Sequence, residues 1–325
     1  MGTRYVIIHF WATFGGFHKR IEMLVDVLCK RGSVQRVKTQ AAFIRFLTKR
    51  DVPEKSVYAL VYTSLVAPHV LALRLLRPGI PVYYMIRGDE VTYVKHARRH
   101  FRAFVAIVFQ KLMNALGCHF IFVCEDLRVL FEKRLGPIRK SGVLPNTLGK
   151  RLPATRHFDG RIGLIGDFGT VKNIEWTIEQ LRNHMFEVHL FGNRTLPEKW
   201  QRPWLHAHGI VDDLPSCLRS DCSLVVLTDA TAGFPNVMVE ALEAGCGVAV
   251  HTEFPFAYFP VADQWRFSLN SFDHGNFNSE KERESSLESV LGRLLREKRD
   301  FKRDNEELIS LIESNWEKRV WEIFA

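Results

Sequence analysis

Little in the 325-residue chain would make it a metalloprotein, a disulfide-stapled module or an integral membrane protein. Its six cysteines, Cys29, Cys118, Cys124, Cys217, Cys222 and Cys246, are scattered, with no C-x-x-C pair and no cluster with histidine. That spacing supplies neither a zinc ligand set nor a disulfide framework, so free thiols, a reducing compartment and no metal site are expected. No window of 18 uncharged apolar residues occurs, which leaves no helix to span a bilayer. The first apolar run, 5–10, starts too early for a signal peptide to precede it, and the expected location is cytoplasmic. No short-period repeat and no low-complexity tract is present.

What is present reads as a globular α/β protein. Apolar content of 46% and charged content of 25% are ordinary for a packed domain. The length favours two domains of roughly 150 residues each. Charge separates them. Residues 1–150 carry 25 Lys and Arg against 9 Asp and Glu, a net +16, and the remainder carries 20 against 27, a net −7. Such a split points to domains with different electrostatic partners.

Apolar runs alternate with amphipathic stretches throughout. Strands are expected at 5–10, 57–63, 81–86, 119–124 and 142–144, with helices at 17–31, 40–49, 66–76, 92–116 and 125–135. After a polar join at 149–155, strands are expected at 161–166, 186–191, 206–210, 223–227, 247–251 and 266–269. Helices are expected at 173–183, 214–220, 236–245, 284–298 and 304–324, with Asp213 capping the second of these. This rhythm predicts two doubly wound Rossmann-like α/β domains, 1–150 and 151–325, facing a central cleft. Ligands of such sheets sit beyond the carboxyl ends of the strands.

The most informative stretch is 233–247, GFPNVMVEALEAGCG. It follows the apolar run Leu224–Leu227, so a Gly-Phe-Pro-Asn turn opens a helix at a strand's carboxyl end. Free N–H groups and the positive dipole end of such a helix hold phosphates. Glu240, one turn further in, is placed to accept hydrogen bonds from sugar hydroxyls. Together they describe a pocket for a nucleotide-linked sugar.

The order of segments resembles the retaining glycosyltransferases of the GT-B fold, family four (glycosyl transferases group one), over nearly the whole chain. Phe14-Gly15-Gly16-Phe17 after the first strand is similar to that family's glycine pair. Val143-Leu144-Pro145-Asn146 is similar to its I-P-N-G segment. Ile162-Gly163-Leu164-Ile165-Gly166 followed by Lys172 resembles the strand, glycine and phosphate-binding lysine that open its second domain. Residues 233–247 resemble its E-G-F…E signature, and Asn315-Trp316-Glu317-Lys318 resembles its last helix, which crosses back to the first domain.

The resemblance implies a donor site made of Gly15, Gly16, Gly166, Lys172, Gly233, Phe234, Pro235, Asn236, Val237 and Glu240. Lys172 would neutralise the leaving diphosphate as charge grows on it. The chain departs from the pattern where the first signature glutamate is replaced by Ala232, and where the arginine after the strand glycine is replaced by Asp167. Asp229 or Thr231 is the candidate replacement for the glutamate. Arg87-Gly88-Asp89-Glu90 follows an apolar strand. There Arg87 is a candidate phosphate ligand and Asp89 a candidate proton acceptor, the alternative being a salt-bridged loop. No D-x-D pair occurs, which argues against a cation-bridged donor.

The implied activity is a metal-independent transfer of a sugar from a UDP- or GDP-type donor, with no other cofactor, to a lipid-linked or polysaccharide acceptor of the cell envelope. A non-catalytic, degenerate binding partner is the alternative that Ala232 and Asp167 keep open. Residues 93–113, with Lys95, Arg98, Arg99 and Arg102 beside Phe101, Phe104 and Phe109, read either as a core helix with a cationic face or as a segment lying on an anionic membrane surface. The second reading would make the protein peripheral on the inner face of the plasma membrane. Nucleic acid is not an expected partner, since no binding motif accompanies the charge.

Overall fold

The computed structural model describes residues 3–9, 16–48, 57–61, 67–86, 88–89, 91, 100–149, 157–166, 173–182, 185–192, 197–228, 235–251, 266–267, 286–298, 301–313 and 316–324. The chain forms two compact units, one made of residues 1–146 and 315–325 and the other of residues 147–314.

The first unit holds a six-stranded parallel sheet. Its strands are β1 (Thr3–Ile8), β2 (Gly32–Val37), β3 (Val57–Val61), β4 (Val82–Ile86), β5 (His119–Phe122) and β6 (Ser141–Val143), in the order β2-β1-β3-β4-β5-β6. Between them run the helices α1 (Gly16–Cys29), α2 (Gln40–Thr48), α3 (Ala67–Leu76), α4 (His100–Ala115) and α5 (Glu125–Leu135). Tyr5–Ile8 and Val82–Ile86 are buried without alternation, because helices cover both faces of a parallel sheet. In α5, Glu125 and Asp126 sit in the first turn and Lys133 and Arg134 in the last, each sign at the dipole end that favours it.

Strand β2 was not among the expected strands. It is an edge strand of mixed, largely polar sequence, GSVQRV, so it lacks the apolar signature of the central strands. Its polar side chains bond outward, Arg36 to both carboxylate oxygens of Glu22 and Gln35 to Arg4. Gly32 is required there: a Cβ would lie 2.2 Å from the Thr3 carbonyl oxygen.

The second unit repeats the plan with β7 (Arg161–Ile165), β8 (Glu187–Phe191), β9 (Leu205–Gly209), β10 (Leu224–Leu227), β11 (Gly247–His251) and β12 (Arg266–Phe267), ordered β12-β11-β10-β7-β8-β9. Its helices are α6 (Ile174–Leu181), α7 (Leu214–Asp221), α8 (Asn236–Ala244), α9 (Leu287–Glu297) and α10 (Phe301–Glu313). Asp213 caps α7, accepting from the Ser216 N–H at 3.3 Å and the Ser216 hydroxyl at 2.6 Å. Gly245 ends α8 in the left-handed conformation, φ 78°.

The segment expected as one helix over 304–324 is two helices, α10 and α11 (Trp316–Phe324), and α11 belongs to the first unit. Val320 and Phe324 join the core of Tyr5, Ile7, Tyr83 and Ile121, each worth about 1.5–3 kcal/mol if fully buried. Gly142 of β6 admits α11 closely, a Cβ there meeting Ile323 at 3.3 Å. Arg31 lies 4.1 Å over the Trp321 ring. The expected doubly wound α/β fold, with its last helix returned to the first unit, is therefore present. None of the six cysteines is joined in a disulfide, and burial pushes the Cys246 thiol up to about 12.

Candidate functional site

Numbered within the second unit, the sheet order is 3-2-1-4-5-6, whose winding reverses between β7 and β10. At such a reversal the connections leave on opposite faces and a crevice opens beyond the strand ends. The loop after β7 begins at Gly166 and leads to Lys172, and the loop after β10 begins at Thr228 and leads into α8. The two segments that the sequence marks as donor-binding thus start from neighbouring strands.

The described ends of these loops are tied together. Asn173, in the left-handed region at φ 51°, donates from Nδ2 to the Thr228 carbonyl at 2.8 Å. Thr177 of α6 donates from its hydroxyl to the Asn173 carbonyl at 2.9 Å and lies 3.3 Å from the Thr228 hydroxyl. Gly166 donates its N–H to Phe191 O at 2.9 Å, and Gly192 donates to Gly209 O at 2.7 Å. Gly166 and Gly192 both have positive φ, 150° and 101°, and a Cβ on Gly192 would approach the Gly166 carbonyl oxygen to 3.2 Å. The backbones at the ends of β7 and β8 run close together there, so a side chain on Gly192 would crowd Gly166.

Helix α8 opens from Pro235 in an extended conformation, φ −73° and ψ 138°. Asn236 and Val237 form its first turn and are partly exposed, while residues 238–244 are buried. Glu240 is only 8% exposed. Glu243, which sequence reasoning overlooked, is fully buried, and its carboxylate accepts the Gly149 N–H. Two carboxylates inside an otherwise apolar nine-residue helix were the available signal, since unpaired burial of either is costly.

In the first unit, Gly16 opens α1 after β1, and Gly88 and Asp89 follow β4. Asp89 is buried, and both its oxygens accept from Arg134 of α5, at 2.7 and 2.6 Å. That fork-to-fork pair fixes the loop after β4 to the end of α5. It does not suit the proton-accepting role expected of Asp89; the salt-bridged loop, the alternative weighed for this segment, is the arrangement found. Two other marked segments meet in this unit, where the Trp316 indole donates to the Pro145 carbonyl at 2.9 Å. Gly15, Arg87, Asp167, Lys172, Asp229, Thr231, Ala232, Gly233 and Phe234 lie outside the described residues.

Two Rossmann-like units with these strand orders and a returning last helix define the fold of the GT-B glycosyltransferases. No protein-family model matches the sequence, and no curated protein matches it. Among solved structures, sucrose-phosphate synthase from Thermosynechococcus elongatus is similar over 99% of this chain and 95% of its own, at 13% identity and a TM-score of 0.69. The lipopolysaccharide outer core galactosyltransferase WaaB, in its apo form, is similar over 99% of both chains at 12% identity and a TM-score of 0.65. TarM is similar over 87% of this chain at 15% identity and a TM-score of 0.62, but this chain spans only 57% of TarM.

Proposed function

We propose that the chain is a retaining, metal-independent glycosyltransferase, resembling family four, that uses a UDP- or GDP-sugar donor. The observation that carries this reading is the winding reversal between β7 and β10, from which both candidate donor loops depart and where the buried Glu240 stands on the helix that follows. In the proposed reaction the bond between the sugar's anomeric carbon and the donor phosphate oxygen breaks. A bond from the acceptor hydroxyl oxygen forms on the same face, and the acceptor's proton passes to the leaving phosphate. Lys172 and the N–H groups opening α8 stabilise the charge growing on that phosphate. Glu240 accepts hydrogen bonds from the nucleotide's ribose, and Gly15, Gly16 and Gly166 let backbone approach the donor.

A lipid-linked or polysaccharide acceptor is proposed for the basic first unit. Its support is α4, where Phe101, Phe104, Val108 and Leu112 form an exposed apolar stripe, Phe101 being 77% exposed, with Arg102 and Lys111 exposed beside it. Such a face suits the interface of an anionic bilayer. No helix among the described residues is long and apolar enough to cross a membrane.

The test is a thermal-shift screen over nucleoside diphosphates and their sugars, followed by donor hydrolysis. Ligand at 100 times its Kd adds about 2.7 kcal/mol of stability. UDP or GDP is expected to raise the melting temperature of the wild type, and Lys172→Ala and Glu240→Gln to reduce that rise. If no nucleotide diphosphate stabilises the chain, the reading fails; binding without donor turnover would point to a non-catalytic partner instead.

A further inference from the structure

A histidine cluster lies in the second unit away from the loops just described. Strands β8 and β9 are adjacent and parallel, with His189 opposite His206. Side chains two apart on a strand share a face, so Glu187, His189 and His206 stand together. Asp221, the last residue of α7, approaches the same face. Glu187 is the first residue of β8, so the cluster sits toward the strand's amino end, whereas the candidate donor loops leave carboxyl ends.

Glu187 Oε1 lies 3.1 Å from His206 Nε2 and 3.6 Å from His189 Nε2. One ligand atom from each of the three lies within 4.8 Å of the other two. A tetrahedral zinc ion, with bonds of about 2.0–2.1 Å to N and O, separates its ligands by roughly 3.3–3.4 Å. Two of the three separations are already near that value. His189 is 7% exposed, and its Nε2 has no hydrogen-bond partner. A buried imidazole nitrogen within ligand spacing of a carboxylate and a second imidazole is the arrangement that metal ligands take.

The other side of the ring is organised for the same end. His189 Nδ1 is 2.9 Å from His208 Nε2, and His208 Nδ1 is 3.7 Å from Asp221 Oδ2. The carboxylate favours a proton on His208 Nδ1. His208 Nε2 then accepts, His189 Nδ1 donates, and the His189 lone pair falls on Nε2, toward Glu187 and His206. A carboxylate-to-histidine relay of this kind orients metal-bound imidazoles. Stacking holds the rings, with centroids 5.2 Å apart for His189 and His208 and 4.5 Å for Phe191 and His208. His189, His208 and Asp221 form a second possible group, but the 2.9 Å contact between the imidazoles is a hydrogen bond, too short for two ligands of one ion.

We propose that Glu187, His189 and His206 bind a divalent transition metal of the Zn2+ type, with water completing the tetrahedron and His208 and Asp221 as positioning residues. Mixed imidazole and carboxylate donors suit zinc. Glu187 and His206 are about half exposed, so solvent and metal reach the site. The site ties β8 to the edge strand β9.

The full chain, stripped with EDTA, is titrated with Zn2+ by calorimetry and with Co2+ by visible absorption. One equivalent of each is expected, with the absorption of tetrahedral cobalt. Glu187→Gln and His206→Gln, at half-exposed positions, are expected to abolish stoichiometric binding while the metal-free variants melt like the metal-free wild type. Asp221→Asn is expected to weaken binding about 10–100-fold. No stoichiometric uptake by the wild type, or unchanged affinity in both glutamine variants, overturns the proposal.

Discussion

Asn173 offers a test of how the second unit holds its candidate donor loops. Its side chain supplies a hydrogen bond to the Thr228 carbonyl, and its backbone is left-handed at φ 51°. Two variants separate these contributions. Asn173→Gly keeps the backbone unstrained and loses the bond to the part-buried Thr228 carbonyl, which costs about 0.5–1.5 kcal/mol. Asn173→Ala loses the same bond and adds the penalty of a Cβ in the left-handed region, about 1–2 kcal/mol. At about 2–4 °C per kcal/mol for a domain of this size, alanine is expected to melt several degrees below glycine, and glycine several below the wild type. Since Asn173 follows Lys172 and Thr228 precedes Asp229, both variants are also expected to weaken UDP or GDP binding. Scanning calorimetry with and without nucleotide reads both effects. Equal melting of the alanine and glycine variants would refute the strain argument, and a glycine variant as stable as the wild type would refute the bond.

Gly247→Ala would place a Cβ 2.8–2.9 Å from the ring of the buried Phe301, so a loss of about 1–3 kcal/mol is expected, partly recovered in Gly247→Ala/Phe301→Leu; additive losses in a denaturant double-mutant cycle would contradict the clash. Burial, with Lys140 and Arg74 adding to it, lowers the His119 pKa, so its stabilisation is complete above about pH 6.5, the unfolded value, and is lost as pH falls from there through the lower folded value. His119→Phe keeps a ring against Tyr83, 4.6 Å away, and is expected to flatten the drop in urea midpoint between pH 8 and pH 5.5; an unchanged drop counts against the assignment. Phe101→Ser/Phe104→Ser is expected to reduce co-sedimentation with anionic vesicles at low salt, and wild-type protein that stays in the supernatant would remove the membrane proposal.

What was legible in the sequence follows from where the signals come from. The central strands announce themselves because both faces are buried, so Tyr5-Val6-Ile7-Ile8 and Leu224-Val225-Val226-Leu227 read as continuous apolar runs. Strand β2 has only one neighbour and bonds through Arg36 and Gln35, which leaves no such run. The break between α10 and α11 was invisible because both helices carry apolar residues at helical spacing, although their apolar faces serve different units. The candidate donor segments were marked by their resemblance and their order along the chain. The histidine cluster was missed because its ligands lie on separate strands. The signal was there in Glu187-x-His189 and His206-x-His208, two alternating pairs that only the pairing of β8 with β9 brings together. Asp89 stayed open between two readings because a carboxylate after a strand looks the same in sequence whether it faces a substrate or an arginine 45 residues on.

The return of α11 to the first unit has a consequence for how the chain matures. Val320 and Phe324 complete a core begun by Tyr5 and Ile7, so the unit that emerges first from the ribosome is the one that must wait. Every residue of the second unit is synthesised while the first still lacks its closing helix, its aromatic floor open around Tyr5 and Tyr83. The order of synthesis and the order of completion are therefore reversed: the middle of the chain has all its partners before the beginning does.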